Sequence, residues 1–467
     1  MERPGLNGIG VKPSDFAQGS PNSRIPFYNY APYLNLIPRQ QRIGDFTKIK
    51  FEPTNFLRFY DSFSYQHQEE NNRFVPSYLQ SVPSQAGGGL VVPANNPYNP
   101  YSQDIPIFYS ALDAGPRQNT ITIDTTRNVV GVQLFNLPNN WFVDASYLYA
   151  ESDLDRKGRN YLSTSRLQDA LGGSATGLAG QYYNPCRDNS VYRDATNTAL
   201  INSTKVPIFD RARSSLAIWG VKGGGALFSL PGGAMTLGLG LEYRDDKIID
   251  RKDIYTQSND VAGSGGASGN GQRWVRSGYY ELTVPILGDK WSFPGARLFE
   301  VVVAQRYDEY NDFGSAAKPK FSFRYKPLDD FTIRGSYSEG FRAPSIAELF
   351  SGQTRLFQTG LVDPKTESLI SPLVISGSDP NLRPELAYSY YLGGIWTPGS
   401  EDPAHSSLGF LNGLNVYVDY YNIEKKNNIA SVNPQFILNH ESLFPGAVVR
   451  NTKGAVLAIN DTFQNIG

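Results

Sequence analysis

The 467-residue sequence has little of the chemistry from which enzyme and metal sites are built. It contains one cysteine, Cys186, which cannot form an internal disulfide, and three histidines, His67, His405 and His440, which are too few for a Cys/His metal cluster. Neither His67 nor His405 accompanies a nucleophile motif. We therefore predict no catalytic residue, no metal site, no cofactor and no enzymatic activity.

The chain also has almost no net charge and no long apolar run. The net charge is −1, so the chain has no basic field to attract nucleic acid. No apolar run approaches the roughly 20 residues that a membrane-crossing helix needs. The mean hydropathy of −0.38 still allows a membrane barrel, because only every second residue of a barrel strand faces lipid.

Aromatic residues and a period of two are abundant instead. Aromatic residues make up 13% of the chain, a bias toward strands. From Thr236 to Arg244, Leu237, Leu239, Leu241 and Tyr243 alternate with glycine, threonine and charged residues. The same alternation recurs at 321–326, 331–338 and 414–421. One face of each segment is apolar and the other is polar, which indicates strands between two different surroundings.

The predicted connections between strands alternate in length. Tight turns are expected at 52–55, 137–140, 230–233 and 326–330, and long connections at about 67–117, 152–212, 246–272, 341–384 and 425–450. A soluble sandwich also has alternating strands, but such a series of long loops is uncommon in compact soluble domains. Transmembrane barrels have short periplasmic turns and long extracellular loops. We therefore predict an all-β fold, an antiparallel transmembrane β-barrel of roughly fourteen strands, with tyrosines near the strand ends at the level of the membrane surface.

Two longer segments carry a family resemblance. Phe331–Glu348 reads FTIRGSYSEGFRAPSIAE and Asp379–Gly394 reads DPNLRPELAYSYYLGG, and both closely resemble barrel signatures of TonB-dependent outer-membrane receptors. The family's motif positions here are Gly340, Phe341, Arg342, Ala343, Pro344, Asn381, Leu382, Pro384 and Glu385. Supporting pieces follow in the family's usual order at 92–101, 230–244, 306–314 and 414–429. The resemblance covers most of the chain.

These motif residues are expected to have structural roles. Pro344 cannot donate to a strand ladder and biases Ala343 away from helix, so a strand should end there. Gly340 is expected to permit a sharp bend or bulge. Arg342 and Glu385 are expected to pair on the inner side of the barrel, although an exposed pair contributes little stability.

The sequence departs from the family at both ends. The start lacks the apolar core of a secretory signal, and nothing before Ile43 resembles an energy-coupling box or a globular plug. The last residues, Asn465-Ile466-Gly467, lack the usual terminal aromatic residue. The resemblance implies a 22-stranded barrel. Residues 1–467 are therefore predicted to form a partial barrel domain without signal peptide or plug.

The resemblance also implies a function. It predicts a receptor in the Gram-negative outer membrane, in contact with outer-membrane lipid, that captures an extracellular ferric siderophore, cobalamin or oligosaccharide. Uptake would be driven by the TonB complex, which would act only through the missing plug, so this chain alone should not transport. Two alternatives stay open: a passive porin-like barrel, and a secreted β-rich carbohydrate-binding or adhesin module.

Ligand contacts are expected from aromatic residues of the long loops, because tyrosine combines a rigid ring with one hydrogen-bonding tip. The candidates are Tyr98, Tyr101, Tyr182, Tyr183, Phe350 and Phe357. Six aspartates near predicted loop edges have the ligand type of a divalent cation site but lack its spacing, so ordinary loop charge is favoured. They are Asp153, Asp155, Asp245, Asp246, Asp250 and Asp253.

Overall fold

Twelve antiparallel strands form one large sheet in which each strand pairs with its neighbours along the chain. The computed structural model describes residues 12–15, 31, 34–80, 90–185, 195–263, 265–288, 290–358, 360–399 and 409–467; Cys186 and His405 lie outside these ranges. The strands are β1 (Arg39–Thr54), β2 (Leu57–Phe74), β3 (Arg117–Leu137), β4 (Trp141–Leu162), β5 (Lys205–Leu230), β6 (Gly233–Lys252), β7 (Gly269–Leu287), β8 (Leu298–Tyr310), β9 (Gly314–Leu328), β10 (Phe331–Arg342), β11 (Glu385–Trp396) and β12 (Val416–Lys426). This architecture confirms the predicted antiparallel β fold, with twelve strands in the large sheet rather than roughly fourteen.

The connections divide the sheet into two rims. At the short-turn rim, two to three residues link β1 to β2, β3 to β4, β5 to β6 and β9 to β10, as predicted. At the long-loop rim, the connections cover 75–116, 163–204, 253–268 and 343–384. The predicted connection at 425–450 is wrong, because no strand of the large sheet follows β12 in residues 427–467. The alternation is not strict. At the long-loop rim, β8 and β9 are joined by only three residues, 311–313, whereas at the short-turn rim the longer segments 288–297 and 397–415 join β7 to β8 and β11 to β12.

The strands run much farther toward the long-loop rim than the alternation predicts. The expected loop 152–212 is wrong in its bounds, because β4 continues to Leu162 and β5 already begins at Lys205. Charged residues such as Asp153, Asp155 and Arg211 interrupt the apolar row in this stretch, and its apolar residues Tyr161, Val206 and Ile208 form a small buried cluster with Val261. Cross-strand ion pairs accompany the ladder instead, with Arg213 Nε 2.6 Å from Asp153 Oδ1 and Arg156 Nη2 3.0 Å from Asp210 Oδ2.

The two faces of the sheet differ as the sequence predicts. Opposed residues of paired strands project to the same face. Leu241 lies opposite Val221, and Tyr243 opposite Trp219, so one apolar row crosses the strands; we call this the outward face. Leu239 is 46% exposed and Leu241 69% exposed. The row is therefore not packed beneath a second protein layer, as a soluble sandwich would require.

The buried core lies in the loops rather than beneath the sheet. The first loop unit packs 90–114 against the helices Thr164–Gly172 and Ala195–Ser203, around Leu162, Leu167, Leu171, Leu200 and Ile201, each fully buried. Its short strands are Tyr78–Gln80 with Phe108–Ser110 and Val91–Val92 with Ile105–Pro106, beside the single turn Leu112–Ala114. The nearby helix Ile254–Gln257 follows β6.

The second loop unit combines the loop before β11 with the chain after β12. Its four-stranded sheet has the order Thr354–Phe357, Leu373–Gly377, Val456–Thr462, Val448–Arg450, and the central pair is parallel. The helix Pro434–Asn439 packs on it through Ile437 and Leu438, and the turn Glu441–Leu443 follows. Two further hairpin-like pairs join Leu361–Asp363 to Ser368–Ile370 and Asn428–Ala430 to Gln464–Ile466.

The remaining short helices are Pro13–Asp15, Pro138–Asn140, Ile346–Phe350 and Gly409–Leu411. None of the helices in the described residues is long and apolar enough to span a membrane.

Candidate functional site

The two signature segments are hydrogen-bonded neighbours at the long-loop rim. The end of β10 pairs with the start of β11, with Gly340 opposite Ala387, Phe341 opposite Leu386 and Arg342 opposite Glu385. The sequence does not reveal that the two segments are neighbours, because residues 343–384, which belong to the second loop unit, lie between them. The motif is thus one structural junction where the sheet gives way to a folded loop.

Arg342 is the centre of that junction. Its guanidinium donates to both carboxylate oxygens of Glu348 at 3.0–3.1 Å and to Glu385 Oε1 at 2.9 Å. Glu348 in turn accepts from the Ser345 amide at 2.6 Å, closing a capping box on the helix Ile346–Phe350. Glu385, with a side chain only 7% exposed, also accepts from the Ile429 amide. The expected Arg342–Glu385 pair is therefore present, within a larger network.

The Asn-Leu-x-Pro-Glu piece shapes the approach to β11. Asn381 donates its amide to Asp379 Oδ1 at 2.9 Å, and Leu382 is buried. The backbone of Arg383 is held from the other side, because Asn465 Oδ1 accepts from the Arg383 amide and Asn465 Nδ2 donates to its carbonyl, both at 2.8 Å. The last residues of the chain are thus anchored on the motif.

The exit of β10 follows one expectation and contradicts another. The strand ends at Arg342, directly before Ala343 and the buried Pro344, as predicted. A bulge at Gly340 is wrong, because the register with β11 from Phe331 to Arg342 is continuous. A Cβ at Gly340 would meet only Ala387 at 3.8 Å, so the position is open rather than strained.

The Asn-Pro-Tyr-Asn-Pro-Tyr segment forms two successive side-chain turns. Asn96 Oδ1 accepts from the Tyr98 amide and Asn99 Oδ1 from the Tyr101 amide, each at 2.9 Å. The buried Asn96 also donates to the Leu171 and Tyr183 carbonyls at 2.8 and 3.2 Å. The asparagines therefore anchor the segment in the first loop unit, and both tyrosine side chains stay half-buried.

The other aromatic candidates differ in exposure. Tyr183 is fully buried, and its hydroxyl donates to Asp113 Oδ2 at 2.6 Å, so it packs the first loop unit. Tyr182 is half-buried with its ring over Gly173. Phe350 is half-buried against Gly271 of β7, and Phe357 is half-buried in the second loop unit. These rings lie in two different loop units and do not meet in one cluster.

The aspartates considered for cation binding have separate protein partners. Asp253 caps the helix Ile254–Gln257 and accepts from the Thr256 amide at 2.9 Å. Asp250 pairs with Lys252, and Asp246 with Arg244. In the part of the chain that the structure describes, no three His, Cys, Asp or Glu side chains are grouped as metal ligands.

An ion cluster inside the second loop unit was not found from the sequence. Arg450 donates to both carboxylate oxygens of Asp363 at 2.8 and 2.9 Å and to Glu441 Oε2 at 3.1 Å. This guanidinium lowers the pKa of the nearly inaccessible Asp363 to about 2 and also lowers the pKa of Glu441. The three residues lie on separate segments, so only the folded loop brings them together.

The face opposite the outward face, which we call the inward face, carries a second unforeseen cluster on β6–β8. Arg306 donates to Asp308 at 2.9 Å and lies 3.5 Å from Glu242. Above them, Arg273 and Asp312 form an almost inaccessible pair at 2.6 Å. The RYDEYNDFG piece therefore lines the inward face with paired charges. In the sequence, the only sign of this cluster is that Arg306 and Asp308 are two residues apart and therefore project to the same face of a strand.

Comparisons with known proteins agree with this architecture. Residues 44–467 match the family described as TonB dependent receptor-like, beta-barrel. No curated protein matches the chain. Among solved structures, the alcaligin outer-membrane receptor FauA from Bordetella pertussis is similar at 12% identity and a TM-score of 0.43, over 84% of this chain and 45% of that one.

Two further structures resemble the chain at similar levels. The siderophore receptor PirA from Acinetobacter baumannii is 13% identical with a TM-score of 0.37, over 93% of this chain and 59% of that one. The RagAB peptide importer is 11% identical with a TM-score of 0.48, over 92% of this chain and 42% of that one. This chain therefore spans about half the length of these structures, and such distant likenesses do not identify a ligand.

The match over 44–467 covers nearly the whole chain. The chain belongs to the TonB-dependent receptor β-barrel family and is a protein of the Gram-negative outer membrane.

Proposed function

We propose that this chain is the membrane-embedded, ligand-capturing part of a receptor that takes up a scarce nutrient, such as a ferric siderophore, cobalamin or an oligosaccharide. Energy for uptake would come from the TonB complex acting on a plug. Family membership supports the role in uptake, and the folded long loops support the role in ligand capture.

The observation that carries the proposal is that the long loops are folded around buried cores of their own. Two loop units with buried cores stand at one rim of the sheet, and the Arg342 network joins the second of them to β10 and β11. A passive pore needs selective lining in its lumen but no folded structure above it. Ordered loops with half-buried aromatic rings are better suited to hold a ligand before transport.

The test is equilibrium binding to outer membranes of a Gram-negative host that lacks receptors of its own for the probes. Membranes containing the chain are titrated with a radiolabelled ferric siderophore, cobalamin or a malto-oligosaccharide. We expect saturable binding of one class and none to membranes without the chain. If no class binds, while liposomes containing the chain become permeable to small sugars, the passive-pore alternative replaces the proposal.

A matched pair of variants places the binding surface. Phe357→Ala removes a half-buried ring of the second loop unit, whereas Phe410→Ala removes a ring that is 81% exposed in the connection between β11 and β12, at the short-turn rim. If Phe357 contacts the ligand, its loss should weaken binding by roughly tenfold, as for a central aromatic contact. Phe410→Ala should leave the affinity unchanged. Equal effects would remove Phe357 from the binding surface.

A further inference from the structure

The outward face carries a charged zone between its apolar row and the long-loop rim, and the two signs of charge are separated in this zone. On β3 and β4 the zone has four carboxylates and one lysine, which we call the acidic half: Asp124, Glu151, Asp153, Asp155 and Lys157. On β5 and β6 it has four cations and one carboxylate, which we call the basic half: Arg211, Arg213, Lys247, Arg251 and Asp245. The β4–β5 ladder is the boundary between the halves.

Opposite charges meet only along that boundary. Asp153 lies opposite Arg213 and Asp155 opposite Arg211. The Arg213 Nε atom is 2.6 Å from Asp153 Oδ1, and the Arg211 Nε atom is 3.7 Å from Asp155 Oδ1. These pairs compensate charge where the halves touch, so the excess charge lies on their outer flanks.

Each half also contains like charges that face each other directly. Asp124 lies opposite Asp153 in the β3–β4 ladder, and Arg211 lies opposite Arg251 in the β5–β6 ladder. Directly opposed like charges destabilise a pair of strands. A surface of the opposite sign placed over each half would relieve this repulsion.

The outer flanks lack compensating charge within the chain. Among the described residues, Asp124 contacts the Tyr65 hydroxyl at 2.7 Å and His67 Nδ1 at 2.8 Å, but no lysine or arginine. On the other flank, Lys247 and Arg251 are exposed, and in the same described part of the chain neither forms an ion pair. One flank therefore offers a carboxylate and the other offers two cations to a partner.

An aromatic pair marks the lower end of the boundary. Tyr147 of β4 lies opposite Trp219 of β5, and their ring centres are 4.1 Å apart. Trp219 is 58% exposed although it is the larger of the two rings. Exposed aromatic rings of this kind are enriched where protein surfaces associate.

The separation of charge makes the zone complementary to itself. Two copies in one membrane have the same orientation, so a two-fold axis that relates them runs along the membrane normal. With this axis at the β4–β5 boundary, the acidic half of each copy faces the basic half of the other. An anionic lipid surface matches the basic half alone and is repelled by the acidic half. We propose that the charged zone is the interface through which a second copy of this chain binds in the membrane.

Cross-linking in outer membranes tests whether two copies meet at this boundary. In a C186S background, S215C places one cysteine on the outward face of β5, whereas the matched control S214C places it on the inward face of the same strand. A short bis-maleimide should link two copies of S215C and leave S214C monomeric. Equal yields for the two variants contradict the proposal. A yield for S215C that rises in proportion to expression also contradicts it, because chance collisions then explain the links and lipid is the normal neighbour.

Exchange of the charges tests the complementarity itself. Within the S215C chain, K247E/R251E makes the basic half net acidic, and D124K/E151K makes the acidic half net basic. Either variant alone brings like charges together, so its cross-linking yield should fall by roughly tenfold or more. When the two variants are co-expressed, every half again meets its opposite, and the yield should return. That recovery also shows that both variants fold. An unchanged yield in the separate variants, or no recovery when both reach the outer membrane in normal amounts, overturns the proposal.

Discussion

Individual polar side chains hold the long-loop rim together. Asn96 satisfies two carbonyls of the first loop unit while turning its own backbone. Arg342 has a similar role at the second loop unit. It links the end of β10 to the cap of the helix Ile346–Phe350 and to the start of β11. Each of these residues satisfies groups that would otherwise be buried without partners, which costs more than the bond itself contributes.

We expect Arg342→Ala to lower the free energy of unfolding by about 1–3 kcal/mol, because the nearly inaccessible Glu385 carboxylate loses a charged donor. The measurement is denaturant unfolding of the chain in detergent micelles. Arg383→Ala is the matched control, since that residue is exposed and bonds to Asn465 through its backbone. The interpretation fails if both variants lose the same stability.

Between neighbouring strands, aromatic rings cover glycines. Tyr279 lies opposite Gly240, Tyr60 opposite Gly131 and Phe323 opposite Gly335, and in each pair a Cβ on the glycine would overlap the ring. An aromatic ring over a cross-strand glycine covers exposed backbone and fixes the register. The recurrence of this pair shows why so glycine-rich a chain still forms long regular strands.

Two alanine substitutions on one face of β6 test this pairing. Gly240→Ala should lower the free energy of unfolding by about 1–3 kcal/mol, because the Tyr279 ring must move away. Gly238→Ala should change it by no more than about 0.5 kcal/mol, since the nearest atom to its Cβ is the Glu281 carbonyl oxygen at 4.0 Å. Denaturant unfolding compares them, and equal losses would indicate a general cost of alanine in this strand.

The second loop unit should respond to acid through the Arg450 cluster. The folded pKa of Asp363 is lowered from 3.8 to about 2, so its stabilising contribution is complete above about pH 4 and lost as the pH falls toward 2. The amide protection factors of Val448–Arg450 and Val456–Thr462, measured by hydrogen exchange and corrected for intrinsic rates, should fall over this range. In Asp363→Asn they should be lower at neutral pH and change less with acid. An unchanged acid response in that variant would exclude Asp363 as its source.

At the scale of the whole molecule, the sequence predicts the strands with a repeating alternation of apolar and polar residues. It does not predict the structures formed by segments that are far apart in the chain. Alternating residues such as Leu237, Leu239 and Leu241 identify the membrane-facing strands, because one face meets lipid and the other does not. The strand extensions toward the long-loop rim lack this signal, because charged residues interrupt the apolar row there. The second loop unit lacks it too, since Leu373–Gly377 pairs with Val456–Thr462 across more than 70 residues. Among the site residues, the Arg342–Glu385 pair was predicted, whereas the clusters around Arg450 and Arg306 depend on folding.

The difference between the two faces can be measured directly in a bilayer. Leu239 lies near the middle of the outward apolar row, so Leu239→Arg should lower the free energy of unfolding in lipid vesicles by about 2–4 kcal/mol, the cost of a cation in the hydrocarbon. Leu148 lies on the inward face between Val129 and Ile218, and Leu148→Arg should cost less because that face does not meet the hydrocarbon of the membrane. Both substitutions make the same chemical change on long strands of one sheet. If they cost the same, the outward row does not face lipid, and the assignment of the two faces is wrong.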